Sequence, residues 1–242
     1  MASHNNSDIL DAVTGTPRHS DMIIKVCGMR EPDNVARVAA LTPMLMGFIF
    51  HPASPRHAAG IDPDVIASLP PFVHPVAVTV NASADELDRL ASTYGFNIFQ
   101  LHGEESPQMC SDLRRKGYTV LKAMQLHDKA SLSALDPYHG CVDAFVLDTR
   151  CDTRGGSGRK FDWSILDNYN PLTPYLLSGG IGPDDTDAVI AAMRPGMAGI
   201  DINSRFESSP AVKDINSLTR FIISLRQNNE DSTPAKPFWK KA

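Results

Sequence analysis

Eight short apolar, β-rich runs recur along the chain with helix-like stretches between them, and this alternation restricts the fold more than any other feature. The runs are MIIKVC (22–27), MLMGFIF (44–50), PVAVTVN (75–81), NIFQLH (97–102), TVLKAMQ (119–125), DAFVLDT (143–149), PYLLSG (174–179) and GIDINS (199–204), and they start roughly 22 to 31 residues apart. Between them, PDNVARVAAL, ADELDRLASTYG, SPQMCSDLRRKG and PDDTDAVIAAM carry Asp, Ser or Pro near their starts, where such residues suit the first helical positions. DKASLSALDPY and WSILDNY are the weaker fifth and sixth helical segments. Strands alternating with helices at this period read as right-handed βαβ units and a parallel sheet. An open doubly wound sheet fits the same pattern, but eight near-regular units in 242 residues favour closure into a single-domain (β/α)8 TIM barrel.

Composition narrows the function classes. With 42% hydrophobic and 21% charged residues, the chain has the balance of a folded globular domain. A net charge of −5 gives no reason to expect nucleic acid as a partner, and no apolar run approaches a membrane span. The cysteines Cys27, Cys110, Cys141 and Cys151 form no CxxC pair, which suits a reducing compartment and argues against a disulfide framework or a metal site. Residues 1–20 are polar, lack the apolar core of a secretory signal and read as a flexible extension. The barrel is expected over 21–227, a polar tail over 228–242, and a cytoplasmic location for the whole.

A barrel of this class carries its site at the C-terminal ends of the strands. Side chains two apart on a strand share a face. In the first run, Ile24 and Val26 face the helices, leaving Lys25 and Cys27 to point into the barrel. Asp201 and Asn203 point away from Ile200 and Ile202 in the same way, and Gln100 pairs with His102, Thr79 with Asn81, and Val146 with Asp148. Polar and ionisable groups therefore converge on the mouth, a poor plan for a core and a good one for a site. A lone cysteine ending a buried strand is most often a small apolar filler. Lys25 beside Cys27 shifts that balance, because a nearby ammonium favours the thiolate and makes a base available. Asp148 either caps the following turn or serves as a general acid facing the thiol. His102 at the end of the fourth run takes a supporting role. Two glycine clusters follow late strands, Gly155–Gly158 and Gly179–Gly180, and backbone amides there suit a phosphate.

The motifs KVCGMR, MGFIFHPASPRH, VTVNAS, FQLHGEES, FVLDT, GGSGRKFDW, LLSGGI and GIDINSRFESSPAVKD follow one another in order over about Lys25 to Asp214. In these the chain resembles the phosphoribosylanthranilate isomerases. The resemblance implies a ribulose-phosphate-binding type of barrel and an Amadori-type ketol isomerisation in tryptophan synthesis. Cys27 then matches the general base and Asp148 the general acid. Arg56 matches the arginine that meets the anthranilate carboxylate. Lys25, Gln100, His102 and Asp201 are expected beside the substrate. Gly156, Gly158, Gly179, Gly180, Asn203, Ser204 and Arg205 are expected around its phosphate. One acid and one base suffice for the chemistry, so neither a metal nor an organic cofactor is expected. The partner implied is the phosphorylated ribosyl-anthranilate, with the protein a monomer or homodimer.

The chain departs from the family pattern at Arg205, where glycine is usual, at Asn203, where serine is usual, and at Thr79 and Arg30. Arg205 either adds a charge-assisted phosphate contact or points to solvent. Rival readings include an indole-glycerol-phosphate synthase, disfavoured because it would want catalytic lysines and a glutamate, and a purely structural barrel, disfavoured by the polar mouth. A barrel using paired aspartates at strands one and five is disfavoured, since those strands offer Cys27 and Lys122. A non-catalytic or differently specific sugar-phosphate binder is disfavoured because binding needs neither Cys27 nor Asp148.

Overall fold

The computed structural model describes residues 22–148, 163–167, 169 and 172–227. Gly156, Gly158, Cys151, the N-terminal extension and the C-terminal tail lie outside the described residues. The eight strands close into a barrel in sequence order, every neighbour parallel. They are β1 (Ile23–Val26), β2 (Leu45–Ile49), β3 (His74–Thr79), β4 (Ile98–Leu101), β5 (Thr119–Gln125), β6 (Ala144–Asp148), β7 (Tyr175–Ser178) and β8 (Met197–Ile202). The helices between them are α1 (Pro32–Ala39), α2 (Pro63–Ala67), α3 (Ala84–Tyr94), α4 (Pro107–Arg115) and α5 (Thr186–Ala191), and α6 (Ile215–Gln227) follows a short hairpin of β9 (Glu207–Ser209) and β10 (Val212–Lys213). The expected open-sheet alternative is thereby set aside.

Local chemistry explains the helix ends. Ser83 accepts from the Glu86 amide while the Glu86 carboxylate accepts from the Ser83 amide, a reciprocal cap on α3, and Gly95 ends that helix at φ 74°. Ser106 caps α4 and Pro107 stands in its first turn. Leu218, Phe221, Ile222 and Leu225 form the buried stripe of α6 at helical spacing. The fifth and sixth segments turn out as 3₁₀ turns, Ala130–Tyr138 and Trp163–Leu166, rather than α-helices. Pro137 lies inside the first of these, and its Ser and Asp side chains offer the backbone local alternatives to helical bonds, as in Ser131 to Asp128.

The two-residue period divides the core into two layers. Ile24, Val26, Met46, Phe48, Ala77, Phe99, Phe145, Leu147, Ile200 and Ile202 pack outward with the helices. Ile23, Leu45, Val76, Ile98, Leu121, Ala144 and Leu176 fill the bore. Toward the C-terminal ends the bore turns polar, which is how one sheet supplies both a packed floor and a site. Strand eight begins two residues earlier than expected, and a register irregularity lies where it meets β7 at Tyr175 and Leu176.

Closure depends on the seam between β1 and β8, where Ile23 faces Gly199, Ile24 faces Ile200, Lys25 faces Asp201 and Val26 faces Ile202. A β-carbon on Gly199 would run into the Ile23 carbonyl oxygen and lie 2.7 Å from both the Ile23 carbonyl carbon and its β-carbon. Backbone cannot yield as a side-chain tip can. Gly199→Ala is therefore expected to lower the unfolding free energy in urea by about 3 kcal/mol or more. An unshifted urea midpoint would contradict the tight approach at the seam.

Candidate active site

The mouth of the barrel holds a cavity of about 670 Å³, lined from six strands or their following loops by Cys27, Arg56, Val78, Gln100, His102, Val146, Asp148 and Asp201 among others. Gly179, Gly180, Asn203, Ser204 and Arg205 line its side nearest β7 and β8. The expected site residues within the described chain thus meet in one place, with Lys25 the exception. Its side chain is wholly buried and does not line the cavity, because its ammonium turns sideways to Asp201 and donates to both carboxylate oxygens at 2.9 Å. Lys25 was expected beside the substrate; it lies instead below Cys27 as part of the wall.

Thr79 and Asn81 were expected to point inward and do not. Val78 and Val80 line the cavity in their place, so Thr79 falls on the opposite, helix-facing side. The Asn81 side chain accepts from the Glu104 amide, and its own amide donates to Glu105, a buried carboxylate that also receives Lys122. This polar node ties β3, β4 and β5 together outside the bore.

Gly47 on β2 explains how the thiol and the ammonium share the bore. A β-carbon there would lie 2.8 Å from Cys27 Sγ and 3.1 Å from Lys25 Nζ. A glycine inside an apolar strand run, as in MLMGFIF, is the sequence sign of this kind of close approach. His51 and Ser54, from the loop after β2, also line the cavity and were not singled out.

The electrostatics run against a simple expectation. Burial pushes the Cys27 thiol up; Lys25 pulls it down, Asp201 pushes it up again and Lys213 pulls it down, and the net result is a thiol above its ordinary range. Lys25 favours the thiolate, as expected, but does not overcome burial and the Asp201 charge. Burial also opposes the charge on Lys25 itself, and Asp201 and Cys27 more than offset this, so the ammonium holds its proton more firmly than a free lysine. Burial lowers His102, against the pull of Asp148 and Asp201, which leaves a neutral imidazole at the mouth near pH 7.

Past β8, Arg56 is gripped by Glu207. Arg56 Nε donates to the two carboxylate oxygens at 2.8 and 3.0 Å and Nη2 donates to one at 2.6 Å. Lys213 Nζ donates to the same carboxylate at 2.7 Å and to Asn203 Oδ1 at 2.7 Å. Glu207 and Lys213 were missed because they lie on a hairpin beyond the last barrel strand. The turn-forming SSP between two charged residues was the available sign of that hairpin. Near the glycines, Gly179 and Gly180 take φ of 94° and 69°, and the Gly182 amide donates to Asp185 at 2.8 Å. Arg205 is exposed and its guanidinium passes close to Gly182.

A closed parallel barrel with a thiol, a carboxylate and two cation-bearing loops gathered at its C-terminal mouth has the layout of a barrel enzyme's active site. Comparison narrows the class. Residues 24–224 match the family model of N-(5'-phosphoribosyl)anthranilate (PRA) isomerase, and the chain belongs to that family. The N-(5'-phosphoribosyl)anthranilate isomerase of Parabacteroides distasonis is 46% identical over 206 residues, covering 84% of this chain and 93% of the relative. That of Phocaeicola vulgatus is 40% identical over 206 residues, covering 85% and 98%. Among solved structures, phosphoribosyl anthranilate isomerase of Thermotoga maritima aligns with a TM-score of 0.76 at 28% identity, over 86% of this chain and all of that one. A crystal structure of the enzyme with reduced 1-(o-carboxyphenylamino)-1-deoxyribulose 5-phosphate aligns at 0.74 and 27% identity, over 85% and 99%.

Gly47→Ala is expected to displace the Cys27 thiol while the barrel persists. The turnover number should fall by about 10- to 100-fold with the circular dichroism spectrum unchanged. Wild-type turnover in that variant would show that the thiol needs no such clearance.

Proposed function

We propose that the barrel mouth converts N-(5-phosphoribosyl)anthranilate to 1-(2-carboxyphenylamino)-1-deoxyribulose 5-phosphate, an Amadori rearrangement in cytoplasmic tryptophan synthesis. The observation that carries the assignment of roles is that Cys27 and Asp148 line one cavity from β1 and β6, each at the C-terminal end of its strand. One is a group that accepts a proton when ionised and the other a group that donates one when protonated.

In this reading Asp148 gives its proton to the ribose ring oxygen as the C1–O bond breaks, and the nitrogen lone pair forms the Schiff base. The Cys27 thiolate then takes the proton from C2. The electron pair of that C–H bond becomes the C1–C2 double bond of an enolamine, which tautomerises to the aminoketose. A thiol held above its ordinary range is sparsely ionised but a stronger base when it is. Arg56 meets the anthranilate carboxylate, and a guanidinium edge matches a planar carboxylate in two parallel bonds. The phosphate falls to the amides around Gly179 and Gly180 and to Asn203, Ser204 and Arg205; the resemblance also assigns Gly156 and Gly158, outside the described residues, to phosphate binding. Gln100, His102 and Asp201 line the wall between the two ends.

Freshly prepared phosphoribosylanthranilate loses its fluorescence on conversion, which gives the assay. Cys27→Ala and Asp148→Ala are each expected to cut turnover by about 10²- to 10⁴-fold. Activity that survives Cys27→Ala would leave the reaction and remove this mechanism. No wild-type turnover with tight binding of a ribose phosphate would favour a sugar-phosphate binder.

A further inference from the structure

We infer that Glu207 is a positioning residue that sets the orientation of Arg56, and with it the recognition of the substrate's aromatic carboxylate. The inference rests on the reading of Arg56 given above and extends it to a residue outside the acid–base pair. Glu207 is 4% exposed and Arg56 20%. Its carboxylate engages the Nε and Nη2 side of the guanidinium. The Nη1 group and the second Nη2 hydrogen, on the other edge of the fork, make no hydrogen bond among the described residues. That edge is the one a planar carboxylate can take in two parallel bonds.

The clamp is anchored from behind. Lys213, whose side chain is wholly buried, donates to Glu207 at 2.7 Å. The Asn34 side chain on α1 clasps the Lys213 main chain through two buried bonds, to its oxygen at 2.9 Å and from its amide at 2.8 Å. The Ala211 amide donates to Glu207 at 3.2 Å as well. Arg56 is thus tied through Glu207 to the β9–β10 hairpin and on to α1. Gly28, at φ 79°, leaves room for this arrangement: a β-carbon there would lie 2.6 Å from Asn203 Oδ1 and 2.7 Å from Arg56 Cδ.

One carboxylate between two cations has a second consequence. Burial works against the Glu207 charge, but the bonds from Arg56 and Lys213 outweigh it and hold the carboxyl below its ordinary range. Glu207 therefore stays anionic at neutral pH, while burial pulls Lys213 below its ordinary range against the pull of Glu207. A free arginine has many rotamers, and a substrate that must order it binds more weakly than one that finds it fixed.

The test compares Glu207→Gln, Arg56→Ala and the double variant by steady-state kinetics on phosphoribosylanthranilate. Arg56→Ala should raise KM by about tenfold or more, and Glu207→Gln by about fivefold or more, with kcat changed less in each. In the double variant KM should stay within about twofold of Arg56→Ala alone, since Glu207 acts through Arg56. Should Glu207→Gln fail to fold, Glu207→Asp keeps the charge, draws the guanidinium back and should show the same dependence on Arg56. An unchanged KM in the Glu207 variant, or a factor that multiplies fully on top of Arg56→Ala, overturns the inference and leaves the Arg56 reading standing. An unchanged KM in Arg56→Ala overturns both.

Discussion

The Lys25–Asp201 ion pair occupies the point where barrel closure and chemistry coincide. The two residues face each other across the seam that joins the first strand to the last, and their side chains meet inside the bore directly below Cys27. An isolated ammonium or carboxylate in that position would be costly, because little water reaches it. Removing one partner of such a pair commonly costs about 3–5 kcal/mol, whereas a well-packed apolar pair can be neutral or better. Stability alone therefore gives no reason for charges at the seam. Above them stands the Cys27 thiol, which Lys25 pulls down and Asp201 pushes up.

Three elements of the mouth follow from that pair. Gly47 opens the space in which Cys27 Sγ and Lys25 Nζ lie side by side. Asp201 commits the ammonium to itself, so Lys25 favours the thiolate from within the wall and does not line the cavity. Lys213 adds a further positive charge that also favours the thiolate, and it donates to Glu207 at 2.7 Å. Cys27 and Arg56 thus share one set of charges that spans β1, the loop after β2, β8 and the segment after it.

Much of this was legible in the sequence because a strand sorts its side chains by parity. Cys27, Gln100, His102, Asp148, Asp201 and Asn203 could each be assigned to the bore from apolar neighbours one position away. Parity failed on β3, where Val76, Val78 and Val80 are apolar on the inner side and Ala77 and Thr79 give no contrasting pattern, so the polar residue was sent inward wrongly. Lys25 was assigned to the right face, but its partner lies 176 positions away and no local pattern reveals that its charge is already engaged. The Arg56–Glu207 contact spans 151 positions and begins on a hairpin that belongs to no βα unit, so the repeat that exposed the barrel also hid it. The 3₁₀ turns escaped for the opposite reason: their sequences hold too few periodic apolar residues to specify either helix or coil.

The most direct test of the account is the pH dependence of Cys27 alkylation, taken as the difference between wild type and Cys27→Ala, with Asp201→Asn alongside. Asparagine keeps the shape and an acceptor for Lys25 while removing the charge that pushes the thiol up. The wild-type midpoint is expected above the ~8.5 of a free cysteine, and that of Asp201→Asn lower, read at a urea concentration where circular dichroism shows the variant still folded, since Lys25 loses its charge partner. A wild-type midpoint at or below that of free cysteine, or one that Asp201→Asn leaves in place, would contradict the claim that burial and the seam pair together set the Cys27 thiol.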